Sequence, residues 1–213
     1  MSDWFKAVFL TSSRIMNFIQ SERTLHFLTS ERSEECEECD CASKDKSKTA
    51  ENVDACIKKV CRVFGVTKLF PEQEKALKAF INKNDVLLNL PTGFGKSLVF
   101  QMAPLVHVGL STCDDRFASN PIVVVISPLV SLMEDQTNFL LAQGISAGSI
   151  GEDKAVNVKI ENGECCVVFT SPESLLGNGQ WRSMLSSDIC KKNLIGIAVD
   201  EARCISQDRK SVV

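Results

Sequence analysis

From about residue 50 onward, unbroken apolar runs of strand length alternate along this chain with apolar residues spaced by three and four. DVLLNL (85–90), PIVVVIS (121–127), GECCVVFT (163–170) and LIGIAV (194–199) predict strands, PIVVVIS continuous enough to suit a parallel sheet covered on both faces, with Cys165 and Cys166 inside GECCVVFT. Between them, LVFQMAPLVHVGL (98–110) predicts an apolar helix, and PLVSLMEDQTNFLLAQ (128–143) predicts another. The second has Ser127 as its N-cap, Pro128 at its first position and Gly144 closing it. Ser171 and Pro172 repeat that arrangement before ESLL. Upstream, VDACIKKVCRVFG has helical spacing up to Gly65, and KLFPEQEKALKAFINKN predicts a helix starting near Pro71. Such an alternation implies an α/β domain whose mostly parallel sheet is flanked by helices.

The first 49 residues follow a different pattern. WFKAVFL and IMNFIQ are apolar clusters that suit one or two short amphipathic helices, and ERSEECEECDCASKDKSKTAEN has no apolar periodicity and reads as a linker. The shift in composition divides the chain into an N-terminal segment, 1–49, and an α/β domain, 50–213. Within the linker Cys36, Cys39 and Cys41 have partial zinc-ligand spacing, which Cys56, Cys61 or His26 could complete. The interleaved Glu34, Glu35, Glu37, Glu38 and Asp40 favour a solvated acidic tether instead. His26 and His107 sit among apolar residues, where packing is the commoner role.

Composition narrows the classes. The 213 residues are 44% hydrophobic and 24% charged, enough for one sizeable domain, and a net charge of −3 leaves no global basic footprint for nucleic acid. Any such contact must be local. No apolar run approaches the roughly 18 residues that span a bilayer, and AVFL after Asp3 is too short a core for a signal peptide. An intracellular protein is expected, with most of the ten cysteines serving as small buried hydrophobes.

The chemistry converges on residues 85–97. A strand runs into Pro91-Thr92-Gly93-Phe94-Gly95-Lys96-Ser97 and then into a helix, which is the order of a phosphate cradle. The strict pattern GxxxxGK[ST] requires Gly where this chain has Leu90, but the two glycines nearest the phosphates are kept and Pro91 stiffens the entry. Backbone N–H groups of Gly93, Gly95 and Lys96 would wrap a polyphosphate at a helix N-terminus. Lys96 would neutralise its β- and γ-phosphates, and Ser97 would offer its hydroxyl to Mg²⁺.

Further residues extend this site. Gln73 lies about one helix upstream, and its amide could pair with adenine N6 and N7, or merely face solvent. Asp200 and Glu201 follow the last predicted strand, where Asp200 would bind Mg²⁺ and Glu201 would polarise the attacking water. Two helix starts, Ser127-Pro128 and Ser171-Pro172, could hold consecutive phosphates of a nucleic-acid strand through backbone donors; ordinary turn chemistry explains each equally well.

Together PEQ (71–73), LPTGFGKS (90–97), ISPLVSLMEDQ (126–136), TSPESLL (170–176) and AVDEARCIS (198–206) resemble the successive motifs of RecQ-type superfamily 2 DNA helicases, in order and spacing across residues 50–207. The resemblance implies a RecA-like first motor lobe, ATP as cofactor with Mg²⁺, DNA as partner and 3′-to-5′ movement, with the loop residues Thr92, Gly93, Phe94, Gly95, Lys96 and Ser97 holding nucleotide. It also implies a nuclear location in a eukaryote. Three departures carry expectations of their own. Phe70 replaces a basic residue and should weaken nucleotide binding or base selectivity; Arg203 replaces a His and should loosen coupling to DNA movement. Beyond Gln207 the resemblance ends, so these 213 residues alone are expected to bind Mg·ATP weakly and unwind nothing. The alternative is a nucleotide-binding or interaction module without motor activity.

Overall fold

The computed structural model describes residues 4–11, 43–91, 93–151, 153–177 and 179–200. Six strands form one sheet: β1 (Trp4–Thr11), β2 (Val86–Pro91), β3 (Ile122–Ile126), β4 (Ala147–Ser149), β5 (Val167–Thr170) and β6 (Leu194–Val199), in the spatial order β2-β1-β6-β3-β5-β4. β6, β3, β5 and β4 are parallel, as the unbroken apolar runs require. β1 is antiparallel to both its neighbours, so the sheet is mixed. WFKAVFL is therefore a strand, not the short helix expected of it. Its Phe9 is fully buried, with ring centroids 5.6 Å from Phe80 and 6.4 Å from Phe100.

Helices cover both faces. On one lie α1 (Ser43–Val63), α2 (Pro71–Ile81), α3 (Lys96–Ser111) and α4 (Val130–Ala142); on the other lie α5 (Lys154–Glu161), α6 (Pro172–Gly177), α7 (Gly179–Leu185) and α8 (Asp188–Asn193). Strand alternation sorts the two cores. Val123, Val125, Val167, Phe169 and Ala198 meet the first group of helices, and Val124, Ile126, Val168, Ile197 and Val199 meet the second. In α1, Val53, Ile57, Val60 and Cys61 bury one stripe, and the helix already begins at Ser43, within the stretch read as linker. Pro71 occupies the first turn of α2, as expected, because its missing N–H removes a donor that has no helical partner there.

Two local expectations change. α4 begins at Val130 with extended Leu129 as its N-cap, so Ser127 and Pro128 precede the helix instead of opening it; the Leu129 N–H donates to Ser127 Oγ at 3.5 Å. Cys165 and Cys166 lie just before β5 rather than inside it. Elsewhere Pro172 does open α6, and Ser171 Oγ accepts from the Ser174 N–H at 3.1 Å as its cap. Burial raises the thiol pKa values of Cys165, Cys166 and Cys190, as expected for cysteines that serve as packing groups. Among the described residues no helix is long and apolar enough to cross a membrane, and no cluster of three metal-ligating side chains occurs. The zinc candidates Cys36, Cys39, Cys41 and His26 lie outside the described residues.

Candidate nucleotide-binding site

The phosphate-loop geometry follows from two glycines. Gly93 (φ 83°) and Gly95 (φ 64°) both occupy the left-handed region, which side chains disfavour, and Gly95 is the N-cap of α3. Between them the chain folds back tightly enough for the Phe94 N–H to donate to the Pro91 carbonyl at 3.3 Å. α3 then starts at Lys96, so its first unpaired N–H groups and the positive end of its dipole face the loop.

Lys96 is 7% exposed, and its Nζ donates to the carbonyl oxygens of Leu90 (3.4 Å) and Pro91 (3.3 Å). Those distances lie at the long end of hydrogen bonding, so an anionic oxygen would be the stronger acceptor. Ser97, half-buried in the same helical turn, adds a hydroxyl. Thr92 lies outside the described residues.

Gln73 is held more firmly than a solvent-facing glutamine would be, being 3% exposed. Its Oε1 accepts the Phe70 N–H at 2.8 Å, and its Nε2 donates to the carbonyls of Phe94 (2.8 Å) and Gly95 (3.0 Å). Both amide hydrogens are thus directed at the loop. Phe70, which replaces a basic residue, is exposed and lies 5.6 Å from the exposed Phe94 ring, centroid to centroid.

The acidic end of the site is set by β6. Asp200 follows Val199, is 3% exposed, and its N–H donates to the Ile126 carbonyl at 2.9 Å. Because β3 pairs in parallel with both β6 and β5, Ile126 is level with Val199 and with Thr170. Asp200, Ser127 and Ser171 therefore follow three neighbouring strands at one edge of the sheet. β2 points to that edge too, since it and β6 are both antiparallel to β1. Parallel strands deliver loops to their carboxyl ends, where α/β sheets bind ligands. Ser127 itself is 1% exposed, whereas Pro128, Ser171 and Pro172 are half-buried. Glu201 and Arg203 lie outside the described residues.

One polar pair was not anticipated. Gln101 Nε2 donates to Gln136 Oε1 at 3.1 Å, and both amides are buried, which ties α3 to α4 behind the phosphate loop. The signal was Gln101 inside the apolar run LVFQMA, where a polar residue needs a buried partner.

The donor set suits a nucleotide with a divalent cation. Two left-handed glycines, a helix N-terminus and a buried lysine form an anion cradle, while the Ser97 hydroxyl and Asp200 carboxylate are the oxygen ligands that Mg²⁺ prefers.

Comparison with known proteins agrees with this geometry. The family model described as DEAD/DEAH box helicase matches residues 70–213. The chain is 34% identical over 151 residues to the ATP-dependent DNA helicase RecQ of Haemophilus influenzae, an alignment covering 68% of this chain and 22% of that protein. It is 34% identical over 160 residues to rat ATP-dependent DNA helicase Q1 (71% of this chain, 24% of that one) and 30% identical over 171 residues to yeast ATP-dependent helicase SGS1 (78% and 11%). The chain thus spans about a quarter or less of the length of these relatives. With that match and a phosphate loop and acidic strand end at one edge of a RecA-like sheet, the chain belongs to the DEAD/DEAH box helicase family and carries the N-terminal lobe of its RecQ type.

Proposed function

We propose that the chain binds Mg·ATP between β2 and α3 and serves as the ATP-binding lobe of a RecQ-like 3′-to-5′ DNA helicase, which couples ATP hydrolysis to unwinding. The observation that carries this reading is the placement of buried Lys96, at a helix N-terminus under two left-handed glycines, on the same sheet edge as buried Asp200.

Each residue has a defined task. Backbone donors of Gly93, Gly95 and Lys96 hold the phosphates, Thr92 and Phe94 complete the loop, and Lys96 neutralises charge. Ser97 and Asp200 provide oxygen ligands for Mg²⁺, and Glu201 takes up the proton of the attacking water. Gln73 keeps a second lone pair on Oε1 that can accept from adenine N6, whereas donation to N7 would require Nε2 to release a loop carbonyl. Backbone groups near Ser127, Pro128, Ser171 and Pro172 contact DNA phosphates; because Ser127 is buried, its contribution is through the turn it shapes. A DNA partner and an intracellular setting, nuclear in a eukaryote, follow from this reading.

Calorimetric titration with Mg·ATP tests it. Lys96→Ala should weaken binding at least about tenfold, in line with the loss of charged hydrogen bonds worth about 1.5–3 kcal/mol. Equal affinity in variant and parent would remove Lys96 from the site.

A further inference from the structure

Three of the elements that build the nucleotide site run to a second cavity at the opposite edge of the sheet, by the amino ends of β2, β3 and β6. α2 carries Gln73 in its first turn and Phe80 near its end, α3 starts at Lys96 and carries His107 about three turns later, and β6 begins at Leu194 and delivers Asp200. Phe80, His107 and Leu194 line a cavity of about 410 Å³. At 1.5 Å per residue, His107 lies roughly 16 Å along α3 from Lys96, so this cavity is separate from the phosphate loop.

Its mouth is basic. Lys83 comes from the turn between α2 and β2, and Lys191 and Lys192 come from the last turn of α8; all three are exposed, and none is ion-paired among the described residues. Arg116 also lines the mouth, but its guanidinium is committed to Asp114 at 2.6 Å, and Asp115 is the carboxylate in the lining. Positive charge thus gathers here in a chain whose net charge is −3. The dipole of α8 accounts for lysines at its C-terminus, though not for Lys83, which belongs to another segment and holds a left-handed backbone (φ 62°) uncommon outside glycine. The floor is buried and carries one unmet polar group: His107 is 4% exposed, and its Nδ1 has no hydrogen-bond partner among the described residues. Burial and the Lys83 charge lower its pKa to about 4, so at neutral pH the ring is uncharged and offers both an N–H and a lone pair. A polar atom buried without a partner in its own chain is a place for a group from outside it. Ser111 and Asn193 add neutral polar side chains; the Ser111 hydroxyl donates to the Val108 carbonyl at 2.9 Å and keeps its lone pairs to accept.

We propose that this cavity is a second ligand site, which takes a small phosphate monoester with a hydroxylated body, of the size of a pentose phosphate. The phosphate sits at the mouth among Lys83, Lys191 and Lys192, whose ammonium groups form charge-assisted hydrogen bonds with its oxygens. The body enters the cavity, where Ser111, Asn193 and the uncharged imidazole take up its hydroxyls. A cavity of about 410 Å³ exceeds what one inorganic ion needs and falls in the range of small-molecule sites, about 300–1,000 Å³. A nucleic-acid strand carries the same phosphate chemistry, but Ser127 and Ser171, where its contacts are proposed, lie at the other edge of the sheet, and a buried floor suits a compact ligand better than a continuous backbone. Binding here needs no nucleotide at Lys96.

His26 and His107 are the two histidines of the chain, so the imidazole proton signals in an NMR spectrum, assigned with His26→Gln, place a probe inside the cavity. Ribose 5-phosphate added to the 213-residue chain at pH 7 should move the His107 signal along a saturable curve, and ribose or inorganic sulfate should each need at least about tenfold more for the same movement, since each supplies only part of the ligand. Replacing both lysines of α8, Lys191→Ala with Lys192→Ala, should weaken ribose 5-phosphate binding at least about tenfold while leaving Mg·ATP affinity unchanged. These side chains are exposed, so the double variant should keep the parent's melting temperature. An unmoved His107 signal, or equal affinity in the double variant, would overturn the site. Sulfate binding as tight as ribose 5-phosphate would mean an adventitious ion only, and a short single-stranded oligodeoxynucleotide that moves the signal at lower concentration than ribose 5-phosphate would give the cavity to nucleic acid; either overturns the small-ligand assignment.

Discussion

The side-chain amide of Gln73 donates to the carbonyl of Gly95 at 3.0 Å, joining the first turn of α2 to the N-cap of the phosphate-loop helix. A group read from the sequence as a sensor of the base is therefore also a brace for the loop. On the proposed reading, base recognition and phosphate recognition would share one set of hydrogen bonds. Movement of Gln73 toward a bound base would release the carbonyls that set the loop's shape, so the two halves of a nucleotide would be sensed together.

Gly95→Ala should damage the loop more than any other single methyl. The residue sits at φ 64°, and an added Cβ would meet Gln73 Nε2 at 2.8 Å. Strain in the left-handed region costs on the order of 1–2 kcal/mol, and the amide must also give way. Mg·ATP affinity should fall by at least about tenfold with only a modest fall in melting temperature. Calorimetry and thermal melts on the same samples measure both.

Glu201→Gln is expected to preserve Mg·ATP binding while lowering turnover on DNA by roughly 10²-fold or more in a two-lobed helicase, because the amide keeps the shape but cannot take a proton. Single-turnover hydrolysis with equilibrium binding in parallel provides the check. Equal turnover would mean that another group acts as the base.

Phe9→Ala should cost about 3–5 kcal/mol of stability, the range for deleting a fully buried phenylalanine ring. Chemical denaturation of the full chain would read it. A change below about 1 kcal/mol would mean that β1 contributes little to the core.

His107 sets a pH dependence. Its ring is 4% exposed, edge-on to Phe117, and Nδ1 has no hydrogen-bond partner among the described residues. Burial, with Lys83 adding repulsion, lowers its pKa from 6.5 to about 4. A base whose folded pKa is depressed leaves the folded state proton-poor, so the unfolded chain gains a proton first as pH falls. Stability is full above about 6.5 and drains between 6.5 and 4, by up to about 3 kcal/mol at 1.36 kcal/mol per pKa unit. Replacement by Phe should flatten this part of the profile in urea titrations at pH 7, 5.5 and 4.5.

What could be read without coordinates was whatever the chain encodes locally. β3 and β6 are unbroken apolar runs and β2 is interrupted only by Asn89, Pro71 and Pro172 fix helix starts, and Gly93 and Gly95 announce left-handed backbone. WFKAVFL escaped because a short apolar run fits either a helix or a strand, and its partners lie far along the chain at residues 86–91 and 196–199. β4, of three residues, is too short to leave a pattern. The start of α4 was misplaced because a Ser-Pro pair looks like a cap, whereas Ser127 is drawn into the sheet edge, its N–H donating to the Thr170 carbonyl at 3.0 Å. Gln73 was found by its place before the phosphate loop, but its commitment to that loop needed three dimensions.

The location of β1 also sets the order in which the sheet can be finished. Val8 pairs with Val199, so β1, second from the β2 edge, cannot be fully bonded until almost the whole described chain is present. Closing so long a loop carries an entropic penalty that grows only slowly with length, yet it must be met before the ladder returns any energy, and contacts of such high sequence separation slow folding. During synthesis β2, Phe80 and Phe100 are made long before β6, leaving β1 paired along one edge while its other edge awaits residues 196–199. Until residues 196–199 are made, a ribosome-bound chain would hold an aromatic, β-prone octapeptide half-satisfied, and that interval is when chaperone capture or aggregation of this segment would compete with folding.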